Sequence, residues 1–292
     1  MDFNELSLSK ININGAELYY VEKGSGEPLI FVHGAISDLR TWENQIETLS
    51  RHFKVISYSR RFARPNKDIG PGAGDPWETH VEDLAALIEE TDSAPANLIG
   101  NSQGGYICLL TALKYPQLVK SLTIEEAPVV PLFTGSPPSF AELLKNFFGH
   151  PFDTFHVMKF GLWTVPKVKK AFRDDETERA LEIFGRAVLG DRWYESLSNQ
   201  RYEQIVANHS SLKAFWFHNE FPAITTNELK TLQIQVLLLT GTNSPEFLLA
   251  LSRKLAAVLP NVTTKVIENA SHLIHENNAP GVNDTVHAFL SG

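Results

Sequence analysis

Two hydrophobic periods alternate along the chain. Short, almost uninterrupted apolar runs occur at Pro28-Leu29-Ile30-Phe31-Val32, Phe53-Lys54-Val55-Ile56-Ser57-Tyr58 and Ala96-Asn97-Leu98-Ile99-Gly100. Runs of this kind suit strands covered on both faces, as in parallel sheets. Residues 6–33 alternate as strands do, with β-formers at Ala16-Glu17-Leu18-Tyr19-Tyr20-Val21 and a turn at Gly24-Ser25-Gly26. Between the runs the period changes. Val81, Leu84, Leu87 and Ile88 share one helical face behind a polar start at Trp77-Glu78-Thr79, and a second helix over Tyr106–Tyr115 is closed by Pro116. The rhythm resumes with strands at Leu122-Thr123-Ile124, 235–239 and 264–267, a helix over Phe247–Leu259 and a last helix towards Leu290. Strand and helix in alternation predict an α/β fold: a mostly parallel, doubly wound sheet with helices on both faces.

One stretch breaks this rhythm. From 129 to 226 no strand pattern occurs, several helical ones do, and 17 of the chain's 30 aromatics fall there. Pro131, Pro137 and Pro138 mark its entrance and Phe221-Pro222 its exit. The expected division is a core of 1–128 and 227–292, with 129–226 as a helical cap inserted after the sixth strand. Most of the cap's aromatics are expected to form its own core, the rest to line a pocket.

Charge and composition narrow the partners. A formal net charge of -8 argues against nucleic acid, whose phosphates need a basic surface. Cys108 is the only cysteine, so no intramolecular disulfide forms, in keeping with a reducing compartment. Met1-Asp2-Phe3-Asn4-Glu5 lacks the features of a secretory leader, and no uncharged apolar run approaches the ~20 residues a spanning helix needs. A cytoplasmic protein with no membrane partner is the expectation. No Cys or His cluster has metal-ligand spacing, so neither metal nor organic cofactor is expected. Nothing in the pattern sets an oligomeric state.

Gly100-Asn101-Ser102-Gln103-Gly104 is G-x-S-x-G directly after an apolar strand and before a helix, the context of a nucleophile elbow. A tight strand-to-helix turn would hold Ser102 in a strained conformation at the positive end of the helix. His33-Gly34 ends the apolar strand Ile30-Phe31-Val32. With these motifs the chain resembles the α/β-hydrolase superfamily over its sheet framework, about two thirds of its length, but not over the cap. The resemblance implies an oxyanion hole built from the backbone N–H groups of Ala35 and Gln103, with His33 structural. It also implies a general base late in the chain. His272, in Glu268-Asn269-Ala270-Ser271-His272, fits, and His275 is its rival one helical turn further on.

The acid departs from the common pattern. Most members carry Asp in the turn after the strand spelled here Val236-Leu237-Leu238-Leu239; in Thr240-Gly241-Thr242-Asn243-Ser244-Pro245 that position holds Ser244. Some haloalkane dehalogenases and the zearalenone-type lactone hydrolases place the acid at the end of the preceding strand, which by alignment of Leu122-Thr123-Ile124-Glu125-Glu126 is Glu126. Strand alternation sends Glu125 and Glu126 to opposite faces, so only one can reach the site. Glu125, Glu246 and a dyad without an acid are the alternatives.

Arg60, Arg61 and Arg64 stand where relatives carry Asp and a Gly-rich turn. Surface ion pairs with Asp38 or Glu43 are the expected role, and pairing with a substrate carboxylate is the alternative. Asp38 is expected to cap a helix. Serine at the elbow suits acyl transfer, because an alkylated serine would be an ether that water cannot turn over. The expected activity is hydrolysis of a small, apolar carboxylic ester or lactone through an acyl-enzyme. A carbon–carbon hydrolase of the meta-cleavage type, suggested by Gly-Asn-Ser-x-Gly-Gly at 100–105, a non-hydrolytic lyase and a ligand-binding protein are the competing classes.

Overall fold

A computed structural model of the chain describes residues 7–70, 72–218 and 220–292, with the side chain of His218 left aside. The Met1–Glu5 segment lies outside the described residues. The strands are β1 (Ser9–Ile13), β2 (Ala16–Lys23), β3 (Pro28–Val32), β4 (Lys54–Tyr58), β5 (Ala96–Asn101), β6 (Val119–Glu125), β7 (Gln235–Gly241) and β8 (Val262–Ile267). They form one sheet in the order β1-β2-β4-β3-β5-β6-β7-β8. β1 and β2 are antiparallel to their neighbours, and every pairing from β4 to β8 is parallel.

The buried strands divide their side chains between two cores. Ile30, Val32, Leu98, Leu122, Ile124, Val236 and Leu238 pack on one face with Val81, Leu84, Ile107 and Leu109 from the helices Trp77–Glu90 and Gln103–Lys114. Leu29, Phe31, Ile99, Leu237 and Leu239 face the other way, onto Trp42, Ile46, Val282 and Val286. The period of two in β3 and β7 thus fills both faces, which is why these strands read as continuous apolar runs. The helix Glu43–Leu49, absent from the sequence expectation, covers the second face with Ile46 and Leu49.

Between β6 and β7 the described chain is helical, from Pro131–Thr134 to Thr226–Leu229. This insertion has a core of its own, in which Val168, Phe172, Leu181, Ile205 and Leu212 meet Ile36 of the loop after β3. Asp38 ties it to the sheet. Its carboxylate caps the short helix Leu39–Trp42 by accepting from the Arg40 backbone N–H, as expected of a cap. It also accepts from Gln204 Nε2 at 2.6 Å and Asn208 Nδ2 at 2.9 Å, both on the insertion. Among the described residues, no helix is long and apolar enough to cross a membrane.

Candidate active site

Ser102 stands alone between β5 and the helix Gln103–Lys114 with φ 51° and ψ -118°. A serine holds this left-handed backbone only if its surroundings impose it. Here they do. The Ser102 N–H donates to Glu125 O at 2.7 Å, tying the elbow to the end of β6. A Cβ on Gly104 would lie 2.1 Å from Val32 O, and one on Gly100 2.5 Å from Gly105 N, so the strand and helix can meet this closely only as glycines.

The loop after β3 passes over the elbow. A Cβ on Gly34 would come 2.7 Å from Asn101 Oδ1 and 3.3 Å from Ser102 Cβ. His33 is fully buried. Its Nε2 accepts from the Arg60 backbone N–H at 2.9 Å, so the ring proton sits on Nδ1 and is donated to Gly34 O at 2.8 Å. Burial and the adjacent Arg60 cation hold the His33 pKa well below the ordinary imidazole value, which keeps the ring neutral and fixes this tautomer.

Arg60 is where the sequence expectation fails. It is 2% exposed and pairs with neither Asp38 nor Glu43 at the surface. Its Nε donates to His33 O at 3.0 Å, and Nη2 donates to Gly34 O at 3.0 Å and Gln103 Oε1 at 2.9 Å. With the Gly34 carbonyl anchored there, the N–H of Ala35, on the far side of the same trans peptide, points away from Arg60. One guanidinium thus orients both segments that supply the two expected oxyanion donors. Sequence alone hid this role, because Arg60 replaces a family residue and its partners are backbone carbonyls. Asp38 is met instead by Arg40, and Arg61 pairs with Asp83 at 2.8 Å, while Arg64 is exposed with its backbone N–H on Asn208 Oδ1.

Two buried histidine–glutamate pairs lie beyond the elbow. His272 Nδ1 is 2.8 Å from Glu126 Oε2, and Glu126 Oε1 accepts from the Gly241 N–H at 3.1 Å. Glu126 follows the last residue of β6 with φ 48°, a second left-handed position in this small region. His275 Nδ1 is 2.6 Å from Glu125 Oε2. Its Nε2 lies 2.9 Å from Thr41 Oγ1 and its ring stacks on Trp42 at 4.0 Å, so both ring nitrogens and one ring face are committed away from Ser102. Asn101 Nδ2 links the pairs, donating to Glu125 Oε2 at 3.2 Å and to the His272 carbonyl at 3.0 Å. Adjacent carboxylates on opposite faces thus serve different imidazoles. Glu246 reaches neither and pairs with Arg253 at the surface. Ser244 is buried and its hydroxyl has no hydrogen-bond partner.

Ser102, Gln103, Ala35 and His272 line one cavity of about 260 Å³. Its remaining wall is almost wholly apolar, with Phe184, Phe215, Trp216 and Leu212 from the insertion facing Phe247, Leu248 and Leu251 from the helix after β7. Among the described residues, no cluster of three or more His, Cys, Asp or Glu side chains could hold a metal ion.

A family model described as the alpha/beta hydrolase fold matches residues 27–279. The chain belongs to this family. Among relatives, this α/β-hydrolase is 24% identical over 95% of both chains to an (E)-2-((N-methylformamido)methylene)succinate hydrolase of Acinetobacter baylyi. It is also 24% identical to a non-heme chloroperoxidase of Kitasatospora aureofaciens, over 89% of this chain and 90% of that one. In fold it is similar to a thermophilic esterase from Thermogutta terrifontis, with a TM-score of 0.73 and 21% identity over 98% of both chains. It is equally similar, at TM-score 0.73 and 19% identity over 96% of this chain and all of the other, to an N-acyl homoserine lactone degrading enzyme. The protein is an α/β-hydrolase enzyme, with hydrolases and esterases among its relatives.

Proposed function

We propose that this α/β-hydrolase cleaves a small, apolar carboxylic ester or lactone through an acyl-Ser102 intermediate, with His272 as general base and Glu126 as orienting acid. The observation that carries the reading is the conjunction at one apolar cavity of a serine in a strained elbow with a histidine whose Nδ1 is held by a buried carboxylate. With Nδ1 committed to Glu126, Nε2 remains for proton exchange. It takes the Ser102 proton as the oxygen attacks the carbonyl, then protonates the leaving alkoxide, then activates the water that releases the acid. The N–H groups of Ala35 and Gln103 hold the oxyanion, each worth about 3 kcal/mol in comparable sites.

The cavity favours an apolar substrate over a charged one. Among the described residues no Lys or Arg lines this cavity, and Arg60, behind the loop, directs Nε and Nη2 to His33, Gly34 and Gln103, so a dicarboxylate such as the Acinetobacter relative's named substrate meets no counter-charge on the cavity wall. The helical insertion serves as the cap, walling the cavity and setting acyl size; the cytoplasm is the proposed location. No metal or organic cofactor takes part in these steps. The test is fluorophosphonate labelling followed by intact-mass analysis of wild type and Ser102→Ala, then a panel of esters and lactones of graded acyl length. Adduct on wild type alone, with turnover of apolar esters, is the expected result. Equal labelling of both proteins refutes the serine's role.

A further inference from the structure

Eight of the nine large hydrophobic side chains exposed among the described residues fall within 24 consecutive positions of the helical insertion. On the helix Phe140–Gly149, the exposed Phe140, Leu144, Phe147 and Phe148 follow i, i+4, i+7, i+8 spacing and so share one face. Phe140 is 77% exposed and Phe148 78%. The next helix, Pro151–Lys159, continues through a π-turn at Phe160–Thr164 into Val165–Arg173, and turns Phe152, Phe155, Leu162 and Trp163 to solvent. Soluble monomers rarely leave aromatics grouped in this way, and among the described residues nothing covers these.

The same helix has a second apolar face. Val157 and Phe160 line the catalytic cavity, and Phe160 stacks on Phe247 at 4.1 Å. The cavity is therefore separated from the exposed aromatic face by the thickness of one helix, interrupted at a π-turn.

Charge around the face narrows what can cover it. The chain is formally -8, yet residues 140–170 contain Lys145, Lys159, Lys167, Lys169 and Lys170 against only Glu142 and Asp153. Glu142 pairs with Lys145, Asp153 with Arg253 and Lys170 with Asp174, which leaves Lys159, Lys167 and Lys169 without an ion pair among the described residues. A second copy meeting this face would bring lysines against lysines. An anionic surface would be complementary, and Phe, Leu and Trp flanked by lysines are the side chains that settle at the headgroup boundary.

We infer that the face formed by 140–149 and 151–164 lies on a bilayer surface carrying anionic headgroups, so that an apolar substrate dissolved in the acyl phase reaches the cavity across one helix. The expectation of no membrane partner rested on the absence of a spanning helix, and surface attachment needs none.

Flotation tests this without reference to catalysis, so Ser102→Ala protein serves as well as wild type and failure of the proposed chemistry would not affect the outcome. The probes are vesicles of phosphatidylcholine with phosphatidylserine, and of phosphatidylcholine alone. Wild type should float with the anionic vesicles. Phe148→Ser/Phe152→Ser/Trp163→Ser, none of which lines the cavity, should bind at least about tenfold less while hydrolysing a water-soluble ester as before. Lys159→Gln/Lys167→Gln, which leaves the apolar face intact should the triple variant not fold, should lose about thirtyfold on anionic vesicles and little on neutral ones. Wild type that does not float, or that floats no better than the variants, overturns the inference. So does a wild-type dimer that the triple variant dissociates without any flotation, which would give the face to a second copy.

Discussion

Glu126→Gln against Glu125→Gln is the sharpest comparison, because the two carboxylates are neighbours in sequence, equally buried and each bonded to one imidazole. In the proposed mechanism Ser102 gives up its proton and His272 becomes cationic, with its Nδ1 2.8 Å from the Glu126 oxygen. With charge centres about 4 Å apart and an effective dielectric of about 20, that attraction is worth about 4 kcal/mol. Removing it costs about 10³ in kcat, at 1.4 kcal/mol per decade. Glutamine can also donate its amide to Nδ1 and hold the wrong tautomer, which takes the loss towards ~10⁴, the size seen for the equivalent change in serine proteases. Glu125→Gln touches a pair that does not line the cavity, so kcat should stay within about tenfold. Its cost should appear as lost stability, about 1–3 kcal/mol for a weakened buried bond. Initial rates with a p-nitrophenyl ester, alongside urea unfolding of both variants, separate the two effects. Equal losses of kcat, or a Glu126→Gln enzyme near wild-type rate, would show that Glu126 does not act on His272 during the reaction.

Arg60→Lys keeps the charge but loses the fork that holds His33, Gly34 and Gln103, and should lower kcat about 10²-fold with little change in KM; a loss confined to KM would deny it a part in oxyanion positioning. Ser244→Asp, placed in a Glu126→Gln background, should recover part of the lost rate, and no recovery in steady-state assays would mean the later turn cannot reach His272. Burial pushes the Cys108 thiol far above its ordinary range, so iodoacetamide should modify it only after unfolding, and rapid labelling of native protein by mass would contradict this. His33 is kept neutral in the fold but takes a proton near its ordinary value, about 6.5, once unfolded. The unfolded state therefore binds more protons as pH falls below that value, and this group should remove about 1.4 kcal/mol of stability per pH unit down to its depressed folded pKa. An unchanged urea midpoint between about pH 7 and about pH 5 would speak against it.

The framework was legible because physical necessity writes it into short segments. A strand buried on both faces must be apolar throughout, and Ile30-Phe31-Val32 and Leu237-Leu238-Leu239 are. An elbow packed against β3 must be glycine at 104, and it is. Glu126 could be proposed because its strand is short and well bounded. The sequence could not tell what its neighbour did, since the partner of Glu125 lies 150 residues away in the chain. Arg60 was misplaced for a related reason. A buried arginine reads like an exposed one when the groups that receive it are carbonyls, which every residue carries. The aromatics at Phe148, Phe152 and Trp163 were expected to serve a core or a pocket wall, because helical period fixes which residues share a face but not which face meets solvent.

Glu126 spans from the end of β6 to the Gly241 amide in the turn after β7, beside the unpartnered Ser244 hydroxyl. The turn after β7 thus contributes a backbone donor to the carboxylate that the end of β6 supplies. Were an aspartate at position 244 to reach the same histidine, two carboxylates would share it, and their repulsion would keep one of them protonated. A search keyed only to an aspartate in the turn after β7 would therefore pass over this chain, whose turn holds Ser244.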